Sequence, residues 1–283
     1  MLQDKVCKLP VFAMLAAALL IGASSCKKCD PGAPAPSRTP EKCDESGTCG
    51  VVAPVAPGDA SEPEEGRTDA DEPVSSEQEI GTPGPGMAPL PIVLPKQMFV
   101  GTPTNINVAN LQKVSGKPRP AFYAPAGCVN LALNKPVTST DDMPIIGELS
   151  MITDGDKEAA DGSYVELGPF LQHVTIDLEQ QAEIYAVLVW HYHKQARVYS
   201  DVIVQTSDDA DFMTNVQMLF NNDHDNSAGQ GIGKDMHYLE SNEGKLINGK
   251  GVKGRYVRFY SGGSNANELN NYIEVEVWGR PTE

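Results

Sequence analysis

The last half of this chain is written in short runs that alternate apolar and polar residues with a period of two, and that period constrains the fold more than any other feature. In residues 173–178, 255–260 and 272–278 the side chains Val174, Ile176, Leu178, Val257, Phe259, Ile273, Val275 and Val277 each fall on one face of their run. One face then belongs to a core and the other to water or a ligand. Residues 184–190 are apolar on both faces, which suits a central strand covered on both sides. Gly, Asn and Asp punctuate the runs, and no stretch of comparable length keeps a helical period. The expectation is an all-β, antiparallel β-sandwich over residues 128–281, a length adequate for a single core.

The front of the chain reads differently. Residues 1–25 have the form of a signal peptide: Lys5 and Lys8 precede an apolar run over residues 11–23 that is short for a bilayer span. The small residues Ala23, Ser24 and Ser25 before Cys26 suit an ordinary signal peptidase. They are also similar to a bacterial lipobox, with Ala23 where leucine is usual. The expectation is an exported protein of the bacterial cell envelope, lipidated at Cys26 and touching the membrane only through that lipid. The alternative is a secreted protein in which Cys26 is a thiol or half-cystine. Cys29, Cys43 and Cys49 crowd into a region that cannot build a core, where oxidation favours disulfides over a metal, and whether Cys128 partners one of them stays open.

Residues 26–89 are Pro, Gly, Ala, Ser, Glu and Asp with almost no large apolar side chain, so they cannot offset their ordering entropy and read as a disordered acidic linker. Much of the net charge of −16 sits there. Residues 90–127 add Ile92, Leu94, Phe99 and Leu111 among prolines and read as an extended lead-in that packs against the head. The acidic balance, with no basic stripe, argues against nucleic acid as a partner.

Five segments, taken in order, resemble the successive motifs of one family. They are Asn130-Leu131-Ala132-Leu133-Asn134-Lys135-Pro136, Thr153-Asp154-Gly155-Asp156, Val174-Thr175-Ile176-Asp177-Leu178, Gly254-Arg255-Tyr256-Val257-Arg258 and Ile273-Glu274-Val275-Glu276-Val277-Trp278-Gly279. The chain is similar, over roughly residues 128–281, to discoidin domains, also called coagulation factor V/VIII type C or galactose-binding-like domains. That resemblance implies a jelly-roll sandwich with its first and last strands side by side and its ligand loops at one end. It implies a structural Ca2+ held by Asp154, Asp156 and Glu274 with nearby carbonyls, a donor set that suits a hard cation. The chain departs from the family just after this loop, where residues 157–164 stand in place of the usual Thr and Trp. Sugar-binding members supply a histidine, an arginine and an asparagine from a strand end and its following loop. Here that implies His191, His193 and Arg197, with Asn270 from the amide-rich loop 261–272, which sits where related domains place another sugar-facing wall.

Other readings of the same residues stay open. His191 and His193 alternate around Tyr192 and could be zinc ligands with His224 or Asp201 as a third, or they could be buried and hydrogen-bonded, holding the loops. The acidic loop 222–227 fails as an EF-hand, because the twelfth position counted from Asp223 is Lys234. Neither a Gly-x-Ser-x-Gly elbow, a phosphate loop nor a zinc-protease helix occurs, so the expectation is a protein that is not an enzyme. Its expected partner is a glycan or cell-envelope polysaccharide. The alternatives are a structural or protein-protein interaction module meeting an envelope protein, and a His-based zinc-binding protein. Mass spectrometry of the mature N-terminus is expected to find a lipid-modified Cys26, and an unmodified Cys26 would remove the lipoprotein reading.

Overall fold

A computed structural model describes residues 81–282. The signal segment, Cys26, Cys29, Cys43, Cys49 and the linker up to residue 80 lie outside them.

The period-two runs become strands: β1 (Met87–Pro89), β2 (Tyr123–Pro125), β3 (Val129–Asn130), β4 (Val137–Ser139), β5 (Val165–Pro169), β6 (Gln172–Trp190), β7 (Ile203–Ser207), β8 (Gln217–Asn221), β9 (Lys245–Ser261), β10 (Leu269–Tyr272) and β11 (Glu274–Pro281). Every pairing between them is antiparallel. Among the described residues the helical content is one 3-10 turn, Leu149–Thr153. The main sheet runs β3-β11-β6-β9-β7-β8 with β4 also on β6, and β5 pairs with β10 separately. The head's first and last strands, β3 and β11, lie side by side with Trp278 opposite Asn130. Val165, Leu167 and Tyr272 from the small sheet share a core with Val174, Ile176, Val257, Phe259, Val275 and Val277 from the large one. The fold is an all-β antiparallel jelly-roll sandwich.

The two sequence runs at 173–178 and 184–190 are halves of one bent strand. β6 pairs with β9 along its whole length, and the ladder shifts register twice, between Asp177 and Ala182 and between Ile184 and Ala186. Glu179 takes φ 63° at the bend. At the second shift β6 also carries one more residue than β11, with Ile184 and Ala186 opposite the adjacent Gly279 and Trp278, and that extra residue changes which parity faces inward. Before it, Val174, Ile176, Leu178, Ala182 and Ile184 point into the sandwich; after it, Val187 and Val189 do. Ala186, Leu188 and Trp190 are thereby sent to the opposite face.

That outer face is covered by the segment before the head. Phe122 and Ala124 are buried on Ala186, Leu188, Trp190, Leu246 and Trp278, with Leu90 and Ile92 packed against the same cluster. β1 and β2 form the hairpin that presents them, and Leu90 N–H donates to the Phe122 carbonyl. The lead-in is therefore a third layer over the sheet. Its start moves back from residue 90, since Met87–Pro89 is already paired: a three-residue edge strand tolerates the prolines around it. Beyond the hairpin, Asn110 and Gln112 exchange backbone hydrogen bonds with His237, and the Asn242 amide donates to the Pro95 carbonyl. Val93, Met98 and Val100 stay exposed on this stretch.

Truncating a buried phenylalanine costs about 3–5 kcal/mol when the site cannot collapse. Phe122→Ala is expected to fall in that range by urea unfolding, and a change near zero would show that the lead-in is not part of the folded unit.

Candidate functional site

β6 ends at Trp190, whose indole N–H donates to the Asn242 carbonyl at 2.9 Å. Gly244 lies so close to this indole, with φ 62°, that a Cβ there would meet it at 2.7 Å. The residues that follow keep the alternation, with His191 and His193 on the inward parity of Val187 and Val189. His191 and His193 are both buried, with relative exposures of 0% and 1%. His191 stacks on Tyr199 at 4.4 Å between ring centres and leans on Tyr272, while its Nδ1 lies 3.3 Å from both Glu240 Oε2 and the Tyr238 hydroxyl. His193 Nε2 donates to the Lys157 carbonyl at 2.8 Å. Burial raises the phenols of Tyr199, Tyr238 and Tyr272, so they stay neutral. Of the readings left open for the two histidines, the structure matches the buried, hydrogen-bonded one: one nitrogen of each ring reaches a protein partner and ties the strand end to Glu240 and the Lys157 loop, while His191 Nε2 and His193 Nδ1 are buried without one.

Tyr192, between them, is the partly exposed ring. The Arg197 guanidinium sits 4.6 Å over it, and Tyr164 meets it edge-on at 5.1 Å. Arg197 Nη1 donates to Asn271 Oδ1 at 2.9 Å, and Asn271 Nδ2 donates to Glu166 Oε2 at 2.9 Å. The result is a fixed row of carboxylate, amide and guanidinium beside two tyrosine rings. Groups of this kind match the alternating donors and acceptors, and the apolar face, of a polyhydroxylated ring.

Arg197 therefore belongs to a half-exposed surface, but Asn270 does not. Asn270 is fully buried: its Oδ1 accepts from Gly263 N–H, and its Nδ2 donates to the Gly168 and Phe170 carbonyls. It secures the turn between β5 and β6, where Phe170 takes φ 65° and is 69% exposed. The register shift between Leu269 and Asn270 explains the difference, because it exchanges the roles of neighbouring asparagines. Asn271, not Asn270, reaches Arg197.

The zinc set does not assemble. His224 Nε2 donates to the Asp235 carbonyl, and its ring packs edge-on against His237, away from the partners given above for His191 and His193. Among the described residues, one trio of metal-capable side chains has its ligand atoms within 4.8 Å, and it is Asp201, Asp223 and Asp225. Asp223 is buried there and organises loop 222–227, accepting from the Ser227 and Ala228 amides.

The remaining acidic residues gather on the outer face of β11. Period two sends Val275 and Val277 into the core, and Glu274, Glu276 and Trp278 outward beneath loop 154–159 and the lead-in. Glu276 is paired: Lys157 Nζ lies 2.6 Å from its Oε1, and the Trp278 indole donates to its Oε2. Glu274 is not. Its Oε2 accepts from Gly155 N–H at 3.1 Å, and its buried Oε1 has no partner. Burial first, then the nearby charges of Asp154 and Glu276, push its carboxyl up to about 9. Glu274 and Glu276 thus share the Lys157 ammonium, with the Arg119 guanidinium acting on Glu276 at longer range. Of the three expected calcium ligands, Asp154 and Asp156 are both exposed, their Oδ1 atoms accepting from the Asp156 and Glu158 N–H groups, and the Asp154 charge lies near enough to raise the Glu274 carboxyl. The orphaned Glu274 oxygen fits a hard cation, with the other donors coming from Asp154 and loop carbonyls.

No family model matches the sequence, and no curated protein matches it. The chain is similar to a family 89 glycoside hydrolase from Clostridium perfringens, solved with 2-acetamido-1,2-dideoxynojirmycin, at 19% identity and a TM-score of 0.40, covering 54% of this chain and 15% of that one. It spans only that small share of the hydrolase. It is also similar to a Streptococcus pneumoniae fucose binding module at 22% identity, covering 53% of this chain and 96% of that one, with a TM-score of 0.39. A chitosan-binding module from a chitosanase/glucanase of Paenibacillus sp. IK-5 matches at 18% identity, 53% and 99% coverage and a TM-score of 0.36.

A carboxyl raised on folding binds its proton more tightly in the native state, so stability is lost as pH climbs from the ordinary value towards the raised one. In EDTA, the melting temperature of wild type relative to Glu274→Gln is expected to fall between about pH 5.5 and about pH 8.5. The difference is the readout because His173, lowered to about 4 by burial, acts in the opposite sense as pH rises towards its ordinary value. A flat difference would show that Glu274 carries no such burden.

Proposed function

We propose that this chain is an exported, non-catalytic binding protein, lipid-anchored at Cys26, whose discoidin-like head recognises carbohydrate at the bacterial cell surface. The observation that carries the reading is the Arg197 guanidinium stacked on Tyr192 and held by Asn271, with Tyr164 and Glu166 alongside. These groups are fixed by one another before any ligand arrives, which lowers the ordering cost of binding. They supply donors, an acceptor and ring faces, and no activated nucleophile.

A calcium ion is part of the proposal. Glu274 and Asp154 would hold it with carbonyls of the 154–159 loop, and when bound it would supply positive charge beside the unpartnered Glu274 Oε1. Its role is structural: it ties the loop to β11, behind the Tyr164 and Tyr192 rings. A second reading, an envelope protein as partner, is favoured by one observation, the exposed apolar side chains Met143, Ile145 and Phe170. Ile145 is hydrogen-bonded through its backbone to Glu166, so that patch adjoins the polar row.

A glycan array and calorimetry with calcium present are expected to find a sugar whose binding weakens about tenfold or more in Arg197→Ala and in Tyr192→Ala, the range of a lost charged hydrogen bond or stacking contact. Failure of every neutral and acidic glycan, together with capture of an envelope protein lost in Phe170→Ser, would replace the first reading with the second.

A further inference from the structure

Lys157 lies in the very loop that would hold the cation, where it brings a positive charge. Its ammonium stands 2.6 Å from Glu276 and 5.1 Å from the Trp190 ring centre, and Trp190 is the residue directly opposite Glu274 across the β6-β11 ladder. Glu274 and Glu276 are two apart on one strand and share a face, so the ammonium acts on both. It is held at both ends: the side chain is 12% exposed and ion-paired, and the backbone carbonyl is fixed by His193. A charge held in so little water is poorly screened.

We propose that Lys157 is a resident counter-charge that holds the affinity of the Glu274 site for divalent cations low. The inference rests on the calcium reading given above. The reasoning is electrostatic. Calcium affinity rises with the negative charge of the surrounding ligands, and one ammonium bound to Glu276 removes that residue's contribution to the field. Lys157 also accounts for the departure from the family pattern after Asp156, because its stem and ammonium cover Trp190 on the outer face.

The test is a charge count by calcium titration of the mature full-length protein, read by calorimetry and by the calcium-induced shift in melting temperature. Lys157→Met is expected to bind calcium about tenfold tighter than wild type, equivalent to about 1.4 kcal/mol. Lys157→Arg keeps the charge and is expected to stay within about twofold. Glu276→Gln leaves the ammonium unopposed and is expected to weaken binding about tenfold, which tests the same idea with the opposite sign should Lys157→Met fail to fold. The double variant Lys157→Met/Glu276→Gln restores the wild-type charge and is expected to return towards wild-type affinity. If wild type binds calcium and loses it in Glu274→Gln, but Lys157→Met binds no tighter or Glu276→Gln no weaker, the inference fails while the calcium reading stands. If neither wild type nor Lys157→Met binds calcium, the calcium reading itself fails and takes the inference with it.

Discussion

One irregularity in β6, the register shift between Ile184 and Ala186, determines what the head must look like on its outside. Without it, Val187 and Val189 would face away from the sandwich core, and Trp190 into it. With it, a strand that already has one buried face acquires an apolar second one made of Ala186, Leu188 and Trp190. Such a surface is unstable in water, and the chain covers it with its own preceding segment through Phe122, Ala124, Leu90 and Ile92. The third layer is thus a requirement of the strand and not an ornament on the domain.

The same face explains the unusual electrostatics. β11 sits directly beside the shifted half of β6, so Glu274 lies opposite Trp190 and Glu276 opposite Leu188. On an ordinary solvent-facing sheet these glutamates would be hydrated and unremarkable. Beneath a cover they lose water, and each then needs a specific partner. Glu276 finds Lys157 and Trp278; Glu274 finds one backbone amide. Covering the apolar half of the face has left a charged pair of positions in the same low-dielectric layer.

Much of the fold was legible because sandwich strands obey a simple rule: Val174, Ile176, Leu178, Val257, Phe259, Val275 and Val277 all point where a period of two places them. The doubly apolar run at 184–190 correctly required cover on both sides, but its identity as the far half of a bent strand depended on a register shift that composition does not mark. The site was legible in kind and misplaced in detail. Arg197 lies on the partly exposed surface, whereas His191 and His193 continue the inward parity of Val187 and Val189 past the end of the ladder at Trp190 and are buried, with Tyr192 between them as the partly exposed ring. Asn270 and Asn271 are told apart only by an irregular pairing of β10 with β5. Glu240 and Glu166 carried no local signal, since each acquires its role from residues distant in the chain: Glu240 from His191, and Glu166 from Asn271. Lys157 was visible as a departure from the pattern the chain resembles, and its ion pair depends on the tertiary position of Glu276.

The position of β11 has a temporal consequence. Among the described strands it comes after all the others in chain order, yet it lies inside the sheet between β3 and β6. A growing chain that has not delivered Glu274–Pro281 has a gap where its hydrogen-bonding ladder should close, and both neighbouring edges stay open. Nothing made earlier can close the sandwich for it.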